Sequence, residues 1–383
     1  MATQVERELP DDESRDLLEL VRDIADAELI PNAASFEHAE EFPREIFRTL
    51  GRSGLLTLAH PEEYGGGGLT QYVYLQVIEE LSAAWLTVGM GTSVHSLGTH
   101  ALAKFADASQ KEEWLRDSLS GERLNAYCLS EAHAGSDAKA LTTLATKDAD
   151  GWVLNGSKAW ITHGGVADNY TVIARTSTDL DGGISSFWVP ATLPGVIPAA
   201  PERKMGLRGS HTATVNFDSV RLPSNALLGE QGQGMKIALD ALNYGRLAIA
   251  ACAVGVAQAA LEVAIQYSRE RMAFGQRIGD FQGVHFMLAD MATQVSAARQ
   301  LYLAGARQLD SGKLVPADAA MAKLFATDMA MAVTTDAVQV LGGAGYTEDF
   351  PVERYMREVK VLQILEGTNQ IQRSVIGRHL VGR

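Results

Sequence analysis

Three segments of the chain carry residue types and spacings that could do chemistry. The first is Glu366-Gly367-Thr368-Asn369-Gln370. A helix predicted to run to Leu365, with Gly367 as its terminator and Thr368 as the next N-cap, puts Glu366 at a break between two helices. That end of a helix dipole disfavours a carboxylate, and desolvation would raise its pKa further, giving a general base usable near neutrality. Left exposed, the same glutamate is a surface residue tolerated at about half a kcal/mol. The second segment runs from Tyr127 through Leu129, Ser130, Ala134 and Gly135 to Ser136 and Asp137. Its small residues form either a nest of backbone N–H groups able to receive phosphate or ring oxygens, or an ordinary turn between domains. The third is Trp160-Ile161-Thr162. Two residues apart on a strand share a face, so an indole could lie against a planar cofactor while a hydroxyl bonds its edge, or the indole could cover a core.

Other chemistries lack their residues. Neither G-x-G-x-x-G nor G-x-x-x-x-G-K-[ST] occurs, since Gly232-Gln233-Gly234 and Gly342-Gly343-Ala344-Gly345 both miss the third element, and G-x-S-x-G is absent. The nine histidines never form H-E-x-x-H, and Cys128 and Cys252 are too few for a disulfide framework, so no metal site and a reducing compartment are expected. With 33 basic and 47 acidic residues among 383, the net charge of −14 offers no basic field for a polyphosphate backbone, which argues against nucleic-acid binding. The longest unbroken apolar run, Leu247 to Ala257, is shorter than the roughly twenty residues that cross a bilayer, so no membrane span is expected. The acidic amino terminus lacks the features of a targeting peptide, and a bacterial cytoplasmic protein is the expectation.

The elements that must hold these segments follow from prolines and periods. Leu17, Val21, Ile24 and Ala25 predict a helix from Asp12 to Ile30, ended or kinked by Pro31, and Tyr72, Leu75, Ile78 and Leu81 predict another. Between Gly121 and Leu228 the period becomes alternating, at Trp152 to Leu154, Tyr170 to Ile173, Phe187 to Val189 and Thr214 to Phe217, with four prolines between 190 and 201. No strand there precedes a long helix, which disfavours parallel winding. Beyond Gly234 helical spacing returns, with Leu288, Met291, Val295, Ala298 and Tyr302 as one packing seam. The fold class is therefore α+β, mainly α, divided at 1–122, 123–230 and 231–383 into a helical domain, an antiparallel β-barrel or sandwich and a four-helix bundle.

In this order the three segments resemble the acyl-CoA dehydrogenases, flavoproteins that oxidise the Cα–Cβ bond of an acyl-CoA thioester. Cys128 to Ala140 looks like the first signature of that family, and Gln339 to Glu358 like the second. The resemblance covers essentially the whole chain. It implies a homotetramer, a dimer of dimers, holding FAD between the β domain and the bundle. By matching position, Tyr127, Leu129, Ser130, Ser136, Trp160 and Thr162 would hold the isoalloxazine. Arg271, Phe274, Gln282, Gln339, Leu341, Gly342, Gly343, Thr368 and Gln370 would bind the pyrophosphate and adenosine end, commonly across the dimer interface. Glu366 would take the α-proton while Cβ delivers a hydride to flavin N5, giving the trans-2-enoyl-CoA. A flavin ribityl hydroxyl and the backbone N–H of the base would polarise the thioester carbonyl.

A minority branch takes its base from the first bundle helix, at the position matched here by Gly245. Tyr244, Arg246, Gly367 and Ser136 match substrate-contacting positions. Electrons would pass to electron-transfer flavoprotein. No Lys or Arg occurs from Ser53 through Ala103, near the expected acyl-tail pocket, which points to an uncharged short, medium or branched acyl chain. The alternatives are an acyl-CoA oxidase or flavin monooxygenase of the same fold, and, more remotely, a flavin-free helical scaffold.

Overall fold

The structure is a computed structural model and describes residues 2–3, 5–177 and 183–382. Helix α1 (Asp12–Ile24) starts where the Asp11 carboxylate accepts from the Ser14 N–H, with Asp12 and Glu13 in its first turn and Leu18, Val21 and Ile24 buried. Pro31 does not end the helical run. A π-helical turn, Ala25–Leu29, leads into α2 (Ile30–Ala39), and the Ile30 N–H bonds the Ala25 carbonyl. The wide turn leaves a carbonyl without an amide partner, so the missing proline N–H costs no bond. Helix α3 (Arg44–Arg52) follows, then α4 (Gln71–Ala84), capped by Thr70, and the almost wholly buried α5 (Leu86–Phe105). Two single turns, α6 (Ala108–Gln110) and α7 (Arg116–Ser118), complete this region.

The middle of the chain supplies β1 (Asn125–Cys128), β2 (Leu144–Lys147), β3 (Gly151–Thr162), β4 (Asn169–Arg175), β5 (Ile184–Pro190), β6 (Val196–Pro198), β7 (Thr212–Pro223) and β8 (Leu227–Leu228). They form one sheet in the order β6-β7-β3-β2-β4-β5-β8, with β1 attached to β4. The sheet is mixed rather than purely antiparallel: β1 runs parallel to β4, Asn125 opposite Asn169 and Cys128 opposite Val172, and β2 touches β4 in parallel at Leu144 and Arg175. Strand β1 enters from helices rather than from a hairpin, so no tight turn dictates its direction.

Helix α8 (Gly234–Glu270) then runs for 37 residues. A short hairpin, β9 (Met272–Ala273) and β10 (Gln276–Arg277), joins it to α9 (Gln282–Asp310), and α10 (Pro316–Leu341), α11 (Val352–Val359) and α12 (Asn369–Leu380) follow. Helix α8 packs against α4 and α5 and against α9 and α10, which buries every residue from Gly245 to Leu261. Although no uninterrupted apolar run in the sequence reaches membrane length, this helix is long and apolar enough to cross one. However, 72% of its most apolar window lies inside the protein, so its apolarity is that of a core helix.

Charged side chains reach this core from far away in sequence. Arg7 pairs with Glu79 and Glu80, Arg22 with Glu80, and Arg299 with Glu79, which also accepts from the Tyr302 hydroxyl. Glu79 and Glu80, in the segment from Ser53 through Ala103 that contains no Lys or Arg, thus take three arginines from outside it.

Candidate active site

Glu366 is set by backbone geometry before any side chain acts. The helical stretch before it fades earlier than expected: α11 ends at Val359 and a 3-10 turn covers Lys360–Gln363. Both Glu366 (φ 53°) and Gly367 (φ 93°) are left-handed. A non-glycine residue held there costs of order 1 kcal/mol and persists only where surroundings fix it. Thr368 then caps α12, its hydroxyl accepting from the Ile371 N–H at 3.3 Å.

The carboxylate is aimed at α8. A methyl group on Gly245 would lie 2.8 Å from the Glu366 carboxyl carbon and would overlap Oε2, so only a residue without a side chain leaves room there. Part of the residue stays open, but Oε2 is inaccessible and has no hydrogen-bond partner. Burial raises its pKa to about 7, against the lowering pull of Lys323 and Arg246. Arg246 is 4% exposed, donates to Asn243 Oδ1 at 3.0 Å and leaves Nε unpaired. Burial lowers its pKa while Glu366 raises it. Tyr244 packs on His100 with ring centroids 4.5 Å apart, and His100 and Lys104 both hold Asp240, at 2.7 and 2.8 Å.

Of the β-domain residues, Tyr127 faces the Glu366 carboxylate. Tyr127 ends on the Ala238 carbonyl at 3.5 Å, and its pKa is raised by burial and then by Glu366. Leu129 packs against the cluster formed by Ala134, Leu141, Ile173, Ile184 and Ala238. The Ser130 carbonyl accepts from the Ala159 N–H at 2.9 Å, which ties the first segment to the strand of Trp160 and Thr162. That strand breaks the simple alternation: its pairing with β7 slips between Lys158 and Ile161, and Trp160 (φ 57°) is left-handed and 55% exposed. Buried Lys158 holds the first segment from below, donating to the Leu129 carbonyl at 2.9 Å and to Glu131 at 2.8 Å. Burial would raise the Glu131 pKa, but Lys158 and hydrogen bonds from Thr142 and Thr143 bring it to about 2. Ser136 and Gly135 are exposed, and a Cβ on Gly135 would meet nothing.

A concavity of about 410 Å³ is lined by Arg271, Leu341, Gly342 and Gly343 with Tyr267 and Ile278. A Cβ on Gly342 or Gly343 would meet nothing, and Gly342 is left-handed at φ 61°. Phe274 (97% exposed), Gln282, Gln339 and Gln370 stand on the outer surface. Trp85 and Met90, near the expected acyl pocket, are both buried, and the Trp85 indole donates to Glu37 at 2.9 Å. Lys323 is the site-facing residue that motif reading passes over. A lysine amid Ala319, Ala320, Ala322 and Ala326 was its signal.

Comparison with known proteins agrees along the whole chain. Three domain profiles match in register: Acyl-CoA dehydrogenase, N-terminal domain, at residues 11–122; middle domain, at 126–220; and C-terminal domain, at 232–381. An acyl-CoA dehydrogenase of Bacillus subtilis is 44% identical over 365 residues, 95% of this chain and 96% of that one. The mitochondrial short-chain specific acyl-CoA dehydrogenase of Homo sapiens is 42% identical over 367 residues, 95% of this chain and 89% of that one. The structure of butyryl-CoA dehydrogenase from Megasphaera elsdenii superposes with a TM-score of 0.95 at 39% identity, covering 98% of this chain and all of that one. With these matches added to a buried carboxylate between two helices and a mixed sheet formed between two helical stretches of the chain, the chain belongs to the acyl-CoA dehydrogenase family of flavoprotein oxidoreductases.

Proposed function

We propose that this chain uses FAD to oxidise the Cα–Cβ bond of a short, uncharged acyl-CoA to the trans-2-enoyl-CoA, with Glu366 as the α-proton base. The reading rests on one observation: a carboxylate with an inaccessible, unpaired oxygen and a pKa near 7, held over Gly245. Such a group is a carboxylate for part of the time at neutral pH and has no partner to displace before it takes a proton. The likeness to short-chain and butyryl-CoA enzymes supports the chain length. Arg7, Arg22 and Arg299, which reach Glu79 and Glu80 from outside the segment Ser53 through Ala103, are paired to those carboxylates, which supports an uncharged tail.

The residues fit a flavin. Trp160 offers an open indole face, Gly135, Gly342 and Gly343 face empty space, and Arg271 lines a cleft with the last two. Tyr127, Leu129, Ser130, Ser136, Trp160 and Thr162 would hold the ring system. Arg271, Phe274, Gln282, Gln339, Leu341, Gly342, Gly343, Thr368 and Gln370 would hold the remainder, some of them for a neighbouring subunit. FAD, when bound, supplies the acceptor for the hydride that leaves Cβ. Glu366 removes the Cα proton, its backbone N–H polarises the thioester carbonyl, and Tyr244, Arg246, Gly367 and Ser136 position the substrate.

The same reading includes three units at 1–122, 123–230 and 231–383, a cytoplasmic homotetramer and electron-transfer flavoprotein as acceptor. Met272, Phe274, Phe286 and Tyr346 are large exposed side chains, which supports an assembly that would bury them. Anaerobic titration of the FAD-loaded protein tests the core of it. Butyryl-CoA should bleach the flavin, and Glu366→Gln should keep FAD while slowing bleaching by at least about 10²-fold. Bleaching by glutaryl-CoA alone would overturn the uncharged-tail assignment, and rapid peroxide formation in air would mark an oxidase.

A further inference from the structure

Two consecutive left-handed residues carry the base, and the carbonyl of the second is held by a buried cation. Lys323, on α10 and with no exposed surface, donates to the Gly367 carbonyl at 3.0 Å and to Asn369 Oδ1 at 2.9 Å. Gln372 adds a second donor to the Gly367 carbonyl at 2.7 Å. Asn369 is itself fixed, donating to Thr327 Oγ1 at 2.9 Å and to Asp328 at 2.7 Å. The ammonium sits in an alanine-rich stretch of α10 whose Ala319, Ala320, Ala322 and Ala326 are all buried. Burying a lysine there costs several kcal/mol of hydration that a methionine of similar length would not lose. What the lysine provides in return is a tether to the peptide that follows the base and a positive charge facing it.

We propose that Lys323 is the positioning residue of the base: by holding the Gly367 carbonyl and Asn369 to α10, it fixes the left-handed Glu366–Gly367 segment and keeps the carboxylate over Gly245. The inference rests on Glu366 being the base. Electrostatics points the same way. The titratable and charged groups facing the carboxylate are Lys323 from α10, Arg246 and Cys252 from α8, Tyr74 from α4 and Tyr127 from β1. Of these only Lys323 and Arg246 lower its pKa. Lys323 in turn faces Glu366, Arg246 and Asp328, and burial brings its own pKa down to about 8.

The test is stopped-flow reduction of the FAD-loaded protein by butyryl-CoA from pH 5.5 to 9, for the parent and for E366Q, K323M and K323Q. If E366Q bleaches at the parent's rate, the base assignment itself fails, a result visible before any Lys323 variant is read. With E366Q inert, K323Q, which retains a donor but no charge, should move the acid limb of the profile up by about one pH unit. K323M should show that shift together with a plateau rate about tenfold or more lower, because the base segment has lost its tether. A K323M profile that overlays the parent's in midpoint and plateau overturns the proposal. Should K323M not fold, K323A, which also removes both donor and charge, takes its place, and a K323A profile that overlays the parent's in midpoint and plateau overturns the proposal.

Discussion

At the residue scale, the decisive relation is that Gly245 and Glu366 share one small volume. Gly245→Ala places a methyl where the carboxylate oxygen stands. The helix should tolerate alanine, a better helix former, so thermal stability should change little while flavin reduction by butyryl-CoA slows about 10²-fold. An unchanged rate would mean that the carboxylate works from another position. A second expectation concerns pH. Only the carboxylate form accepts a proton, so the rate of flavin reduction should rise with pH, with its midpoint near the Glu366 pKa of about 7. A flat profile between pH 6 and 8 would contradict it. The helix break that carries Glu366 was legible from sequence because a terminator glycine and an N-cap leave chemical marks. Its left-handed backbone and its tie to Lys323 were not, since both depend on where α10 lies, forty-odd residues earlier in the chain.

At the scale of elements, the amino-terminal strand of chain before α1 is as much a part of the core as the helices it crosses. Arg7 has no exposed side-chain surface and faces Glu79 and Glu80, which are equally buried. Burial opposes its charge, but the two carboxylates prevail and raise its pKa. Arg7→Met should therefore strand a buried carboxylate and cost about 3–5 kcal/mol, read as a lower midpoint in chemical denaturation. A loss below 1 kcal/mol would show that Arg22 and Arg299 suffice. The helices and the strand runs were readable from apolar period, because burial on one face repeats at 3.6 or 2 residues. Two features were not. The π-helical turn before Pro31 and the parallel pairing of β1 with β4 arise from tertiary context, which leaves no local pattern.

At the scale of the whole molecule, buried histidines make the junction between the helices and the sheet acid-sensitive. Burial lowers the pKa of His60 to about 3 and of His163 to about 4, and that of His95 well below the ordinary value. His95 Nδ1 accepts from the Asn125 N–H at 3.1 Å, and His163 Nδ1 lies 3.2 Å from the Asn125 carbonyl. A depressed histidine pKa means that the unfolded chain binds the proton first. Stability is thus present above about pH 6.5 and is lost as pH falls toward 4, by about 1.4 kcal/mol per pH unit per group. Glu358 and Glu366, with raised pKa values, act in the opposite sense, so the informative comparison is with His95→Gln. The parent's melting temperature should fall between pH 7 and pH 5, and the variant's should fall less; equal slopes would remove His95 from the account. The buried carboxylate cluster has a consequence for the order of synthesis. Glu79 takes its partners from Arg7, made 72 residues before it, and from Arg299, made 220 residues after it. A nascent chain must therefore carry this carboxylate through most of translation with only the amino-terminal arginines to neutralise it. The helical core can close only when α9 has left the ribosome, which makes the first and last thirds of the protein a single folding unit around the sheet made between them.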